Sequence, residues 1–181
     1  IYVLELSSYQ LDLAETFRCN VAVMLNISPD HLGRHGGMDG YVQAKRRVFR
    51  NQTAMDFAVI GVDDTRSQVM CAQLSAEGVR PVVPISSEYG LGRGVAALGG
   101  RICDSFMGRA LDPVDIPQAR ALPGRHNGQN AAAAYAACRA LGVDPADIIA
   151  GLLSFPGLAH RLEAIGDIDG VRFVNDSKAT N

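Results

Sequence analysis

The chain reads as an α/β domain: a mostly parallel sheet flanked by helices, with a small antiparallel β portion. Three observations predict this. Short continuous apolar runs, partly β-branched, alternate with helix-length segments, as in strands covered on both faces by crossover helices. Residues 86–122 break the alternation, being rich in Gly and short of helical periodicity. Three apolar runs also lead straight into polar, chemically capable residues, and open α/β sheets bind ligands beyond the carboxyl ends of their strands.

Residues 1–4 read as a buried strand. Ser7 or Ser8 caps a helix running to about Phe17, with Tyr9, Leu13 and Phe17 on one face. Residues 21–27 form a second buried strand, broken by Pro29 and followed by a polar loop with Gly33, Gly36 and Gly37. Asp39 caps a helix through Arg50, and residues 56–60 form a third strand ended by Gly61. A helix to about Leu74 leads to a fourth strand near 82–85. Within 86–122, the runs 101–103 and 109–111 read as small antiparallel strands. An Ala-rich helix spans about 127–141 and stops at Gly142, and Pro145 opens another to about Leu153. Strands near 162–168 and 171–174 are joined by Asp169-Gly170, a hairpin turn.

A length of 181 residues suits one domain with a real core. A net charge of −2 gives no electrostatic case for nucleic acid or an anionic membrane. No apolar run approaches the roughly 20 residues that span a bilayer. The four cysteines form no C-x-x-C pair, so reduced thiols and a cytoplasmic setting are expected rather than zinc or disulfides. The chain opens without Met inside an apolar run, which reads as the middle of a strand and suggests a piece of a longer protein.

Fifteen Arg stand against two Lys, Lys45 and Lys178. Unlike Arg, Lys can lose its proton when desolvated, so both lysines are candidates for chemistry. On a helix, Lys45 shares its face with Tyr41, Val42, Val48 and Phe49, while Arg46, Arg47 and Arg50 take the other faces. Desolvation favours a neutral amine, which can act as a nucleophile, act as a base, or capture CO₂ as a metal-binding carbamate. The alternative is a snorkelling lysine with its head in water. Glu5, Asp30 and His31 follow the first two strands and offer oxygen and imidazole ligands for Mg²⁺. Alternatively, Glu5 caps a helix and His31 bonds a loop. Asn127 and Asn130 lie one turn apart at a helix start, able to read a base edge or, for Asn127, simply to cap. Arg161 can clamp a phosphate or pair with Glu163. No G-x-x-x-x-G-K-[ST] occurs, so the residues alone do not specify an NTPase.

Six segments in order resemble the Mur ligase family, which builds the peptide stem of the bacterial cell wall: ELSSYQL (5–11), LNISPDHLGRHG (25–36), YVQAK (41–45), GRHNGQN (124–130), FPGLAHR (155–161) and NDSKATN (175–181). The first and last resemble most the members that add D-glutamate. The resemblance implies that residues 1–181 are a P-loop-NTPase-like central ATP-binding domain, with 86–122 as an antiparallel insertion. The UDP-binding domain, the phosphate loop and a C-terminal domain would lie outside this chain, which alone would be inactive.

The same resemblance implies two Mg²⁺ ions, one on Glu5 and one on His31 and a carbamylated Lys45. Asn130, with Asn127 beside it, would contact adenine, and Arg161, Asp176 and Lys178 would orient the nucleotide. His31 and Thr180 would face substrate, Thr180 near the incoming D-glutamate. Lys45, His31 and Lys178 would be the catalytic groups. The implied reaction phosphorylates the carboxylate of UDP-N-acetylmuramoyl-L-alanine from ATP, and the D-glutamate amine then displaces phosphate. Another Mur-type or folylpolyglutamate-type ligase, or a non-catalytic nucleotide-binding module, are the competing readings.

Overall fold

The computed structural model describes residues 1–30, 32–116 and 124–178. Its main sheet has six strands in sequence order: β1 (Val21–Met24), β2 (Phe57–Gly61), β3 (Val82–Ser86), β4 (Gly94–Leu98), β5 (Arg101–Ser105) and β6 (Val114–Asp115). The first four are parallel, with Val23, Val59 and Val83 side by side in register. β5 and β6 add antiparallel edges. Alternation along β2 splits the interior in two, as the pleat requires. Val59 joins Val83, Ile85 and Val95 under the alanines and Tyr135 of one helix layer, whereas Ala58 and Ile60 face Tyr41, Phe49, Met70 and Leu74 on the other.

The first layer is α5 (Arg125–Ala140) and α6 (Pro145–Ser154). Small Ala side chains at 131–133 and 136 let α5 lie close against the sheet. The opposite layer holds α3 (Met38–Arg46), continued by a 3₁₀ turn at Arg47–Phe49, and α4 (Thr65–Glu77). The short helices α1 (Ser8–Leu13) and α2 (Leu32–His35) precede them. β7 (Glu163–Ile168) and β8 (Val171–Asn175) pair as a separate antiparallel hairpin. Its turn residues Asp169 and Gly170 both have positive φ, the geometry that suits a two-residue hairpin. Among the described residues no helix is long and apolar enough to cross a membrane.

Several expectations are corrected. Residues 1–4 are exposed and join no strand, so the first two polar clusters do not share an edge as paired strand ends. α1 stops at Leu13 rather than near Phe17. The carbonyls of Ala14, Glu15 and Phe17 accept from Arg47 and Asn51 side chains instead of helix amides. The helix at 39–50 starts at Met38 after Gly37, and Asp39 lies in its first turn rather than capping it. Residues 109–111 are not a strand; the amide of Leu111 bonds the Asp104 carbonyl, and the antiparallel edge falls at Val114–Asp115. β4, unread in the sequence because glycines bracket it, is the strand that joins the antiparallel edge to the parallel sheet.

Candidate functional site

Three of the quoted segments meet at α1, α2 and α3. The capping box of α1 is complete: Ser7 Oγ accepts from the Gln10 amide, and the Gln10 side chain accepts from the Ser7 amide. This fixes Ser8, which is buried, with its Oγ 3.0 Å from His35 Nε2 on α2. The His35 ring lies 5.7 Å from both Tyr9 and Tyr41. Gly40 permits this close junction, since a Cβ there would sit 1.9 Å from the His35 carbonyl oxygen.

Lys45 follows on α3. It is half-buried, with Nζ 5.2 Å from the centre of the buried Tyr41 ring, a cation–π distance. The lysine does run with the apolar stripe. The arginines are less solvated than expected: Arg46 is held by Gln73 and Glu77, Arg47 is half-buried, and Arg50 is exposed. Glu5 and Asp30 are exposed carboxylates. His31 lies outside the described residues. Oxygen donors suit Mg²⁺, but among the described residues no three His, Cys, Asp or Glu side chains stand together as a metal site. As an ammonium, Lys45 offers no lone pair to a cation, so it could join a metal set only as a carbamate. All four cysteines are free, and burial pushes the Cys19 and Cys71 thiols up, away from the ligating thiolate.

A second assembly occupies the carboxyl edge of the parallel strands. Asp63, two residues beyond β2, accepts from Ser86 Oγ at 2.5 Å and from the Ser87 amide at 2.9 Å and hydroxyl at 3.0 Å. It also accepts from Gln129 Nε2 at 3.1 Å, which brings in α5. Asp64 accepts from the Ser67 amide, capping α4, and from the Ile27 amide beyond β1. α5 thus opens over the strand ends, with Asn130 Nδ2 donating to Asn127 Oδ1 at 3.1 Å. Its N-cap is Gly124, with no side-chain cap.

The third assembly joins FPGLAHR to NDSKATN. The Lys178 amide donates to the His160 carbonyl at 3.0 Å, and Asp176 Oδ1 accepts from the Leu162 amide at 3.0 Å. Glu163 accepts from the His160 amide and from Asn175, so the carboxylate suggested as a partner for Arg161 is engaged elsewhere. His160 and Leu162, on either side of Arg161, have φ of 66° and 47°. Left-handed backbone is costly for such side chains, and the hydrogen bonds from Asp176 and Lys178 hold it. The exposed Arg161 is presented by this bend. Thr180 lies outside the described residues.

Sequence reasoning missed Asp63, Ser87, Gln129 and His35. The signal for Asp63 was available, since Asp63-Asp64 follows a strand as the other polar clusters do. Gln129 stood inside a quoted segment without a role, because its importance depends on a partner 66 positions away.

Comparison with known proteins accords with this arrangement. The model of the Mur ligase middle domain matches residues 1–138. The UDP-N-acetylmuramoylalanine--D-glutamate ligase of Caulobacter vibrioides (strain NA1000 / CB15N) is 58% identical over 181 residues, covering 100% of this chain and 38% of the relative. The ligase of the same name from Phenylobacterium zucineum (strain HLK1) is 55% identical over 181 residues, 100% of this chain and 39% of the relative. The crystal structure II of MurF from Acinetobacter baumannii superposes with a TM-score of 0.66 at 26% identity, over 93% of this chain and 35% of that one. The chain therefore spans well under half the length of the relatives it matches, and over the part it spans it belongs to the Mur ligase middle domain family.

Proposed function

We propose that this chain is the ATP-binding core of a cytoplasmic ligase that joins D-glutamate to UDP-N-acetylmuramoyl-L-alanine in peptidoglycan synthesis. The observation that carries the reading is identity of 58% across the whole chain with a D-glutamate ligase. The gathering of ELSSYQL, LNISPDHLGRHG and YVQAK at α1–α3, and of FPGLAHR with NDSKATN, supports it. The γ-phosphate of ATP passes to the substrate carboxylate, giving an acyl phosphate and ADP. The D-glutamate amine attacks that carbonyl, loses a proton and expels phosphate, leaving the amide.

Such a reaction needs placement and charge neutralisation more than a protein nucleophile. Asn130, paired with Asn127, reads the adenine edge. Arg161, on its strained bend, faces the phosphates with Lys178, and Asp176 orients the ribose while holding that bend. Thr180 lies by the incoming D-glutamate. Glu5 would hold one Mg²⁺ ion, and His31 with a carbamylated Lys45 a second; such ions would neutralise developing phosphate charge. The Tyr41 face beneath Lys45 keeps the side chain on the apolar side of α3; a carbamate would form there by addition of the neutral amine to CO₂ with release of a proton, and its oxygens would supply the anionic ligand.

The test is phosphate release by the intact protein with ATP, Mg²⁺ and UDP-N-acetylmuramoyl-L-alanine. Release should require D-glutamate and yield one amide per phosphate. Equal turnover with L-glutamate or a diamino acid, or none with D-glutamate, would sink the reading.

A further inference from the structure

We infer that Gln129 and Asp63 are positioning residues that set the register of the first turn of α5, and with it the nucleotide contacts of Asn127 and Asn130. This rests on the nucleotide role proposed above for those two asparagines. The start of α5 has no side-chain cap of its own. With glycine at the N-cap, no cap side chain ties this turn to the sheet, and the bond between Asn127 and Asn130 lies within the helix itself. Gln129 supplies a distant tie. It is buried, 9% exposed, and donates from Nε2 to Asp63 Oδ2 at 3.1 Å.

Asp63 makes a firm post because Ser86 and Ser87 at the end of β3 hold both of its oxygens. All four donors to it are uncharged, so the carboxylate is stabilised by hydrogen bonds in fixed directions. The fit is close on the β2 side: a Cβ on Gly61 would lie 2.8 Å from Gln129 Nε2 and 1.9 Å from the Leu25 carbonyl oxygen. Gln129 lies between the two asparagines in sequence. A rotation or slip of α5 that broke its bond to Asp63 would swing both amides together.

The experiment is steady-state kinetics of the intact enzyme with the pair altered singly and together. Gln129→Glu opposes two carboxylates, and Asp63→Ala, alone and combined with Gln129→Glu, completes a cycle that tests whether the two residues act as a pair. Gln129→Glu should raise the KM for ATP by about tenfold or more, because misplacement of about 1 Å can cost more than that in rate. Its KM for D-glutamate should move by less than about twofold, and the double variant's rise in the KM for ATP should not exceed that of the worse single variant, the signature of direct coupling. If Gln129→Glu does not fold, Gln129→Met keeps the chain's length, removes the donor and should show the same selective rise. An unchanged KM for ATP, equal rises for both substrates, or rises that multiply in the double variant would overturn the inference. A parent enzyme indifferent to ATP would instead overturn the nucleotide reading itself, before any variant is compared.

Discussion

Asp56, at the entry to β2, shows how one side chain can tie folding to pH. Its carboxylate is fully buried and accepts from Arg18 Nε at 2.8 Å and Nη2 at 3.0 Å, and from the Thr53 amide at 2.7 Å and hydroxyl at 2.9 Å. The Arg18 hydrogen bond, helped by those from Thr53, holds its pKa down to about 2 from an ordinary 3.8. A depressed carboxylate stabilises the fold fully above the unfolded value and loses that contribution as pH falls through the folded one. Asp56→Asn should therefore cost about 1–3 kcal/mol at neutral pH. The gap from the parent should close as pH drops from about 4 toward 2, which paired thermal melts across that range would read; a constant gap would assign the loss to packing instead. Arg18 and Asp56 lie 38 positions apart, so no local pattern announces the pair. Lys45 was legible for the opposite reason: its apolar face is written within one helical turn on either side.

At the scale of elements, Asp64 does two jobs. It caps α4 through the Ser67 amide at 2.9 Å and reaches the Ile27 amide at 3.2 Å, tying the segment just after β1 to the start of α4. Loss of a cap costs about 0.5–2 kcal/mol, and stranding a buried amide adds about 1–3 kcal/mol. Asp64→Ala should thus lose roughly 2–4 kcal/mol of unfolding free energy and Asp64→Ser distinctly less, because serine keeps the cap but falls short of Ile27. Urea denaturation would compare them: a serine variant as stable as the parent would mean that the link to Ile27 carries nothing, and equal losses in both variants would mean that the cap carries nothing. A helix with its own signal, such as α6 opened by Pro145, is read closely from sequence, whereas α4 is expected to end at about Leu74 but runs to Glu77 and its left-handed cap Gly78, φ of 64°. Elements decided by tertiary partners are less legible. Beyond α1 the carbonyls of Ala14, Glu15 and Phe17 are taken by Arg47 and Asn51 rather than by further helix amides, and the 1–4 run is apolar enough for a strand but has no strand beside it among the described residues.

For the whole molecule, the distribution of apolar surface yields the last prediction. Ile1, Tyr2 and Val3 are each more than 90% exposed. β1 is an edge strand of the six-stranded sheet, with Val23 40% exposed. Ile165, Ile168, Val171, Phe173 and Val174 of the hairpin are exposed as well. Exposed apolar residues next to an unpaired strand edge favour edge-to-edge association. The relatives are more than twice as long as this chain, and the 181 residues expressed by themselves should self-associate. Sedimentation velocity over a tenfold concentration range should show the average mass rising. Tyr2→Asp with Val3→Asp should reduce the effect if the 1–4 run drives it, and Phe173→Ser should reduce it if the hairpin does. A monomer at every concentration would show that neither surface is adhesive and that the two-layer core alone sets the behaviour of the chain.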